Sequence, residues 1–346
     1  MPVSLQTPIS SPCLSAALPH ELCFSVGPDT KSAEVHIRAG GETIFTATLY
    51  ACKQRIILFD CRSIIEGHFL ERKKAHDICN ILLITDDEQV ESGPFFVIMS
   101  EFNAASASDF LNNNFLTTRR SFRICRHGVQ SLSWFSLSPE PEFGSCRKVE
   151  LASDTEFPQS SLIASSRTYE TSTLHTETIK VDDLQITDAK LLAFTIERGA
   201  RSITFYVTDE KPDLTFHFRN AFNCPEHVEL YGVTTAKQEV SRSEAQCLNK
   251  SIFYDQTTLY SYEVETAAIT PEDALWLQQF FCSRYTAVEV NGQYREILIT
   301  SSEVEPTTDN SKLCRAKFTF KFADNARYLS PEQTRIFTEY YQSEFK

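Results

Sequence analysis

The stretch HFRNAFNCPEHVEL, residues 217 to 230, gathers His217, Cys224 and His227 within eleven positions. These side chains bind zinc or carry protons near neutral pH. Zinc needs three or four ligands converging at about 2.0 to 2.3 Å, and structural sites present them as closely spaced pairs. The rhythm here is His-x6-Cys-x2-His with Pro225 between the last two, which matches no such pair. Leu214, Phe216 and Phe218 alternate as on one face of a strand, so His217 is expected on the opposite, solvated face beside Thr215 and Arg219. Asn220 and Asn223 then break the alternation, and Pro225 opens the next strand. The segment is expected to be a structural corner, with no metal and no cofactor.

Other chemistry has no signature. There is no GxSxG elbow, Walker loop, GxGxxG or HExxH. Gly40 and Gly41 sit between two strand patterns and make a turn, since no helix follows to hold a phosphate. Asp86, Asp87 and Glu88 form a solvated turn that lacks the alternating oxygens and central glycine of a calcium loop. Trp134 lies in a strand pattern and Trp276 in a helix pattern, and both are expected in cores, where large aromatics contribute most. No catalytic residue is assigned, and the chain is read as non-enzymatic.

The elements that would hold any site are mainly strands. The chain of 346 residues carries 26 Phe and is 42% hydrophobic, ample for packed cores. Its 46 acidic residues outweigh 33 basic ones for a net charge of −13, which repels a phosphate backbone. Nucleic acid is therefore not an expected partner. Arg119, Arg120, Arg123 and Arg126 read as one polar strand face. Eleven cysteines without a CxxC pair imply thiols kept reduced. No apolar run approaches the ~20 residues that span a bilayer, so no membrane partner is expected. The opening residues, interrupted by Pro2, Pro8, Pro12 and Pro19, lack a signal-peptide pattern and are expected to form an extended arm over 1–20.

Short runs rich in Val, Ile, Phe and Thr predict strands over 34–50, with a turn at Gly40–Gly41, and over 54–60, 77–85, 94–99, 120–125 and 130–135. This is an antiparallel β domain over 21–145. A stretch rich in Pro and Ser between 136 and 167 marks a boundary, after which a C-terminal β-rich domain over 146–346 is expected. Its hairpins turn at Gly199 and at Asn291-Gly292, and Phe318, Phe320 and Phe322 alternate with Lys317, Thr319 and Lys321. A helix over 271–281 starts from the N-cap Thr270 with Pro271, Glu272 and Asp273 in its first turn. A second helix over 331–345 begins with the capping box Ser330 to Gln333 and carries the stripe Phe337, Tyr340, Tyr341 and Phe345. The expected fold class is mainly β, with two antiparallel sandwich-like or barrel-like domains and a few short helices in the second.

The segments FLTTRRSFRICRHGVQSLSWF, FHFRNAFNCPEHVELYG, SIFYDQ, DALWLQQFF, ILITSSEVE and KFTFKFADN, in this order, resemble uncharacterised proteins from the tail modules of phages and prophages of anaerobic gut bacteria. The resemblance covers residues 21 to 325. It implies a virion structural protein of the distal-tail or baseplate kind, assembled in the bacterial host cytoplasm. Such a protein would form a homo-oligomeric ring, trimeric or hexameric, that joins the tail tube to host-recognition proteins, with a host surface glycan as a further ligand. The stripe Phe337, Tyr340, Tyr341 and Phe345 would then be a subunit contact. Two other classes compete: a carbohydrate-binding or adhesin module, which needs exposed aromatics in a row, and a tail-associated glycoside hydrolase, which needs paired carboxylates in a cleft.

Overall fold

A computed structural model of the chain describes residues 3–86, 88–137, 142–151, 157–169, 173–184, 190–247, 250–305 and 313–324. The fold is mainly β, with 60% strand and 13% helix. The chain divides into two compact units, Met1–Val207 with Asn220–Pro225, and Thr208–Arg219 with Glu226–Lys346.

The first unit begins with β1 (Ser4–Leu5), β2 (Cys13–Leu14), β3 (Glu21–Ser25), β4 (Ser32–Ala39), β5 (Glu42–Tyr50), β6 (Arg55–Phe59), α1 (Cys61–Glu71), β7 (His76–Ile84) and β8 (Gln89–Ile98). They form a three-stranded sheet, β1-β3-β6, and a five-stranded sheet, β2-β8-β7-β4-β5. Alternation builds the core between them: Leu22, Phe24, Ile56 and Leu58 from the small sheet meet Val35, Ile37, Ile81, Leu83 and Val97 from the large one. Gly40 and Gly41, both at positive φ, close the β4–β5 hairpin as expected. The opening residues do not project as an arm. Val3, Cys13, Leu14 and Leu18 are buried, and β2 pairs in parallel with β8. Their apolar side chains complete the core, and the prolines only shape the path between them.

Helix α1 breaks the all-strand expectation for this region. It buries Cys61, Ile65, His68 and Phe69, and its N-cap residue Asp60 sits in the left-handed region without a capping bond. At its other end Asn223, also at positive φ, donates from Nδ2 to the carbonyls of Phe69 (3.1 Å) and Lys74 (2.7 Å). These carbonyls lie at or just past the helix C-terminus, where backbone acceptors need outside donors.

The rest of the unit runs through α2 (Ala107–Asn113), β9 (Ser121–Cys125), β10 (Val129–Ser136), β11 (Glu142–Leu151), β12 (Gln159–Tyr169), β13 (Thr173–Lys180), α3 (Val181–Leu184), β14 (Lys190–Arg198) and β15 (Arg201–Thr208). A five-stranded sheet, β12-β11-β14-β15-β9, accompanies the pair β10-β13. Phe194 stacks on Phe205 at 4.7 Å and Phe205 on Phe122 at 5.3 Å. Helix α2 and the carbonyls around it are tied by Arg201, whose buried guanidinium donates to Leu111 and Phe135. The Pro- and Ser-rich stretch between 136 and 167 supplies β11 and most of β12 to this sheet, while the division between compact units falls after Val207. Turn-forming composition marks a connection between strands as readily as one between domains.

The second unit holds β16 (Leu214–Arg219), β17 (Pro225–Leu230), β18 (Gly232–Cys247), β19 (Lys250–Thr266), α4 (Pro271–Cys282), β20 (Thr286–Val290), β21 (Gln293–Val304) and β22 (Ala316–Phe322). Its seven strands form a curled sheet in the order β17-β16-β20-β21-β22-β19-β18. Helix α4 starts with the expected capping box between Thr270 and Asp273. It drives Phe280 against Phe216, Phe218 and Phe318, at ring separations of 5.1, 5.7 and 5.6 Å. Asn291 and Gly292, both at positive φ, close the β20–β21 hairpin. The expected C-terminal helix over 331–345, with Phe337, Tyr340, Tyr341 and Phe345, lies outside the described residues.

Candidate functional site

The structure does not assemble His217, Cys224 and His227 into one ligand set. Cys224 is buried in the first unit beside Leu116, Phe135 and Phe222, and its thiol faces the Phe222 carbonyl at 3.7 Å. The two histidines belong to the second unit. His217 is half-buried, not on a solvated face: its ring lies 4.9 Å from that of His227 and 5.5 Å from that of Tyr294. His227 Nε2 and Tyr294 Oη are 3.1 Å apart. The correction has a simple cause. β16 lies between β17 and β20, and β21 follows β20, so neighbours from three strands wall the face that strand period left open.

Burial decides the charge of this cluster. It pushes the His227 imidazole down to about 4, with the neighbouring His217 adding to the effect. His217 is lowered by burial and then by the Arg219 guanidinium. Tyr294 is raised by burial and then by Glu289. Two neutral rings and a protonated phenol at pH 7 make a packed polar contact, with no nucleophile activated. Among the described residues no group of three or more His, Cys, Asp or Glu is placed to hold a metal ion.

The other sequence candidates also find structural places. Trp134 is buried between His175, stacked at 5.3 Å, and the Arg198 guanidinium at 5.9 Å. Trp276 is buried and its Nε1 donates to Glu226 Oε2 at 2.7 Å. Glu226 is a buried carboxylate that strand alternation alone could not flag, because its donor comes from α4, fifty positions later. Arg123 is exposed between buried Phe122 and Ile124, as a polar strand face requires, and Arg119 lies over the Phe122 ring. A concavity of about 460 Å³ in the second unit is lined by Glu265, Glu303, Glu305, Arg315 and Lys317, with Arg315 paired to Glu265 at 2.9 Å. Cations interleave with its carboxylates, so it does not isolate an acid–base pair.

The feature without a structural explanation is the end of the β18–β19 hairpin. β22 pairs with β19 only from Tyr262 to Glu265, and β18 is the last strand of the sheet. From Lys237 to Cys247 and from Lys250 to Ser261 the hairpin is therefore a two-stranded ribbon. Such a ribbon is marginal alone in water. The register divides its side chains between two faces. The inner face continues the core line of Val264 and Tyr262 through Tyr260, Val240 and, past a bulge at Ser243/Glu244, Phe253. The outer face carries Val233, Leu259 and Ile252, with Lys237, Glu263 and Lys317 at its base. Leu259 and Ile252 are 52% and 49% exposed, and Phe253 is 65% exposed with the Arg242 guanidinium above it. Apolar side chains gathered on a projecting edge mark an interaction surface.

No family model matches the chain, and no curated protein does. Among solved structures, Clostridium thermocellum CbhA fibronectin(III)-like modules align over 60% of this chain and 94% of theirs, at 7% identity and a TM-score of 0.18. The plexin A4 full extracellular region aligns over 95% of this chain and 37% of its own, at 7% identity and a TM-score of 0.23. Scores this low do not define a shared topology.

Proposed function

We propose that the chain is a non-enzymatic structural β module of a phage or phage-derived tail tip. It resembles distal-tail and baseplate proteins in the order of its motifs, and it assembles into a homo-oligomeric ring linking the tail tube to host-recognition proteins. The observation that carries the assembly role is the outer face of the ribbon, where Val233, Leu259 and Ile252 remain in water. An edge strand that carries apolar residues on a projecting ribbon gains from a neighbour twice, through burial and through backbone pairing along β18. The test is molar mass by light scattering over a concentration series, with electron microscopy of the same fractions. Closed trimeric or hexameric rings are expected, and the pair Ile252→Ser and Leu259→Ser should return the chain to monomer. A wild-type chain that stays monomeric at every concentration overturns the ring.

A further inference from the structure

The ribbon also leaves a backbone edge open. β18 ends its sheet, so among the described residues no strand pairs with its far side. The register shows which groups that edge offers. Tyr231, opposite Ala267, turns its carbonyl toward β19 and accepts the Ala267 amide at 2.6 Å, so the odd positions of β18 bond inward and the even ones face outward. Gly232 agrees, since its amide points away from β19 and donates to Asp213 Oδ2 at 2.7 Å. Beyond it the backbone groups of Thr234, Ala236, Gln238, Val240 and Arg242 face outward with no partner strand among the described residues.

Charged side chains on an edge ordinarily turn a stray strand away. Those of β18 alternate in sign, as Lys237, Glu239, Arg242 and Glu244. A second copy laid antiparallel must bring outward, even positions opposite even ones, and the two-fold axis relating the copies then passes where one residue faces itself. Centred on Lys237, Glu239, Arg242 or Glu244, the pair sets like charges face to face; centred on Val240 or Ser241, no charge meets another. Two centres match signs. At Ser243, Arg242 would face Glu244, but the ladder to β19 is bulged at Ser243/Glu244, and the Arg242 guanidinium is held over the Phe253 ring at 5.3 Å and by Gln256 at 3.1 Å. At Gln238, Lys237 faces Glu239 twice, once on each side of the axis. Both groups are open to such a partner: Glu239 has no ionic partner among the described residues, and Lys237 shares Glu263 with Lys317.

We propose that β18 of one chain pairs antiparallel with β18 of a second copy about a two-fold axis at Gln238, with Thr234 to Arg242 of each strand in the ladder. Ala236 then meets Val240 on the inner face, and Lys237 meets Glu239 on the outer one, at positions where side chains of facing strands lie closest. Two marginal ribbons become one four-stranded sheet. The contact rests on the self-association proposed above and narrows it. Two-fold contacts join copies in pairs, so a closed ring that uses them is hexameric and not trimeric.

The experiment measures molar mass by light scattering over a concentration series for the full chain and for Lys237→Glu, Glu239→Lys, Arg242→Glu and Glu244→Lys. All four side chains are exposed. Lys237→Glu and Glu239→Lys each set like charges opposite one another and should weaken association about tenfold or more. An equimolar mixture of these two variants restores two pairs of opposite sign and should regain the wild-type mass, which a misfolded variant would not do. Arg242→Glu and Glu244→Lys should leave the mass unchanged. A mixture that stays dissociated, a loss of association through Arg242→Glu in place of Glu239→Lys, or a trimeric wild type overturns the contact while the assembly role stands. A wild-type chain that is monomeric at every concentration overturns both.

Discussion

One strand, β19, lives in two environments. At its base Val264 is 2% exposed, paired with Phe318 of β22, which in turn packs on Phe280; toward its tip Phe253, on the same face, is 65% exposed. The base alternates as Tyr260-Ser261-Tyr262-Glu263-Val264-Glu265, whereas the tip runs Ile252-Phe253-Tyr254 into the polar Asp255-Gln256-Thr257-Thr258. The neighbours differ too: at the base β22 pairs beside the strand and its Phe318 packs on Phe280 and Phe281 of α4, and neither reaches the tip. A strand becomes core only where another element arrives to cover it.

Three measurements can break or sharpen that contrast. The largest effect is expected from Phe280→Ala, which removes the ring that three strand phenylalanines share; denaturant unfolding should show a loss of about 3 to 5 kcal/mol. A loss below about 1 kcal/mol would mean that the base is no better packed than the tip. The second tests the polar cluster on β17 and β16, at the other edge of the same sheet. His227 is held below its unfolded value of 6.5, at about 4. As pH falls the unfolded chain takes up the proton first, so the stability from this burial is full above about 6.5 and drains away toward about 4. His217, lowered in the same direction, adds to the loss. Between about pH 7.5 and about pH 5 the His227 contribution should fall by about 2 kcal/mol. His227→Gln should flatten that slope, and an unchanged slope would show that the ring is not neutralised by burial. The smallest effect is expected at the tip, where Ile252→Ser with Leu259→Ser should change unfolding free energy by less than about 0.5 kcal/mol per site. A larger loss in the monomer would place these residues in a core that the contrast denies.

The same contrast explains what the sequence could tell. Alternation in β4 and β22, glycine or Asn-Gly at the hairpin turns and the Thr270 cap are local signals, and each element stands where those signals put it. Helix α1 escaped because Asp60 gives no capping bond and Gly67 interrupts its middle, so its stability comes from Ile65 and Phe69 in the core. The burial of His217 was invisible for a related reason. Its neighbour Tyr294 arrives from a strand two places away in the sheet, and no spacing in the primary chain encodes that distance. The exposure of the ribbon was hidden too, because strand pattern reports pairing and says nothing of which strands go uncovered.

Asn223 carries a consequence for how the protein is made. Its amide closes the carbonyls at the end of α1 from a position 154 residues beyond Phe69. A ribosome delivers the N-terminal sheets and α1 long before that amide exists, and synthesis proceeds at about 5 to 20 residues per second. Until then the Phe69 carbonyl has the Lys74 amide as its donor, while the Lys74 carbonyl waits for the Asn223 side chain. The first unit is thus finished by a residue translated after nearly all of its own strands. Nascent chains halted before and after residue 223 should differ in how readily a protease cuts near Lys73 and Lys74.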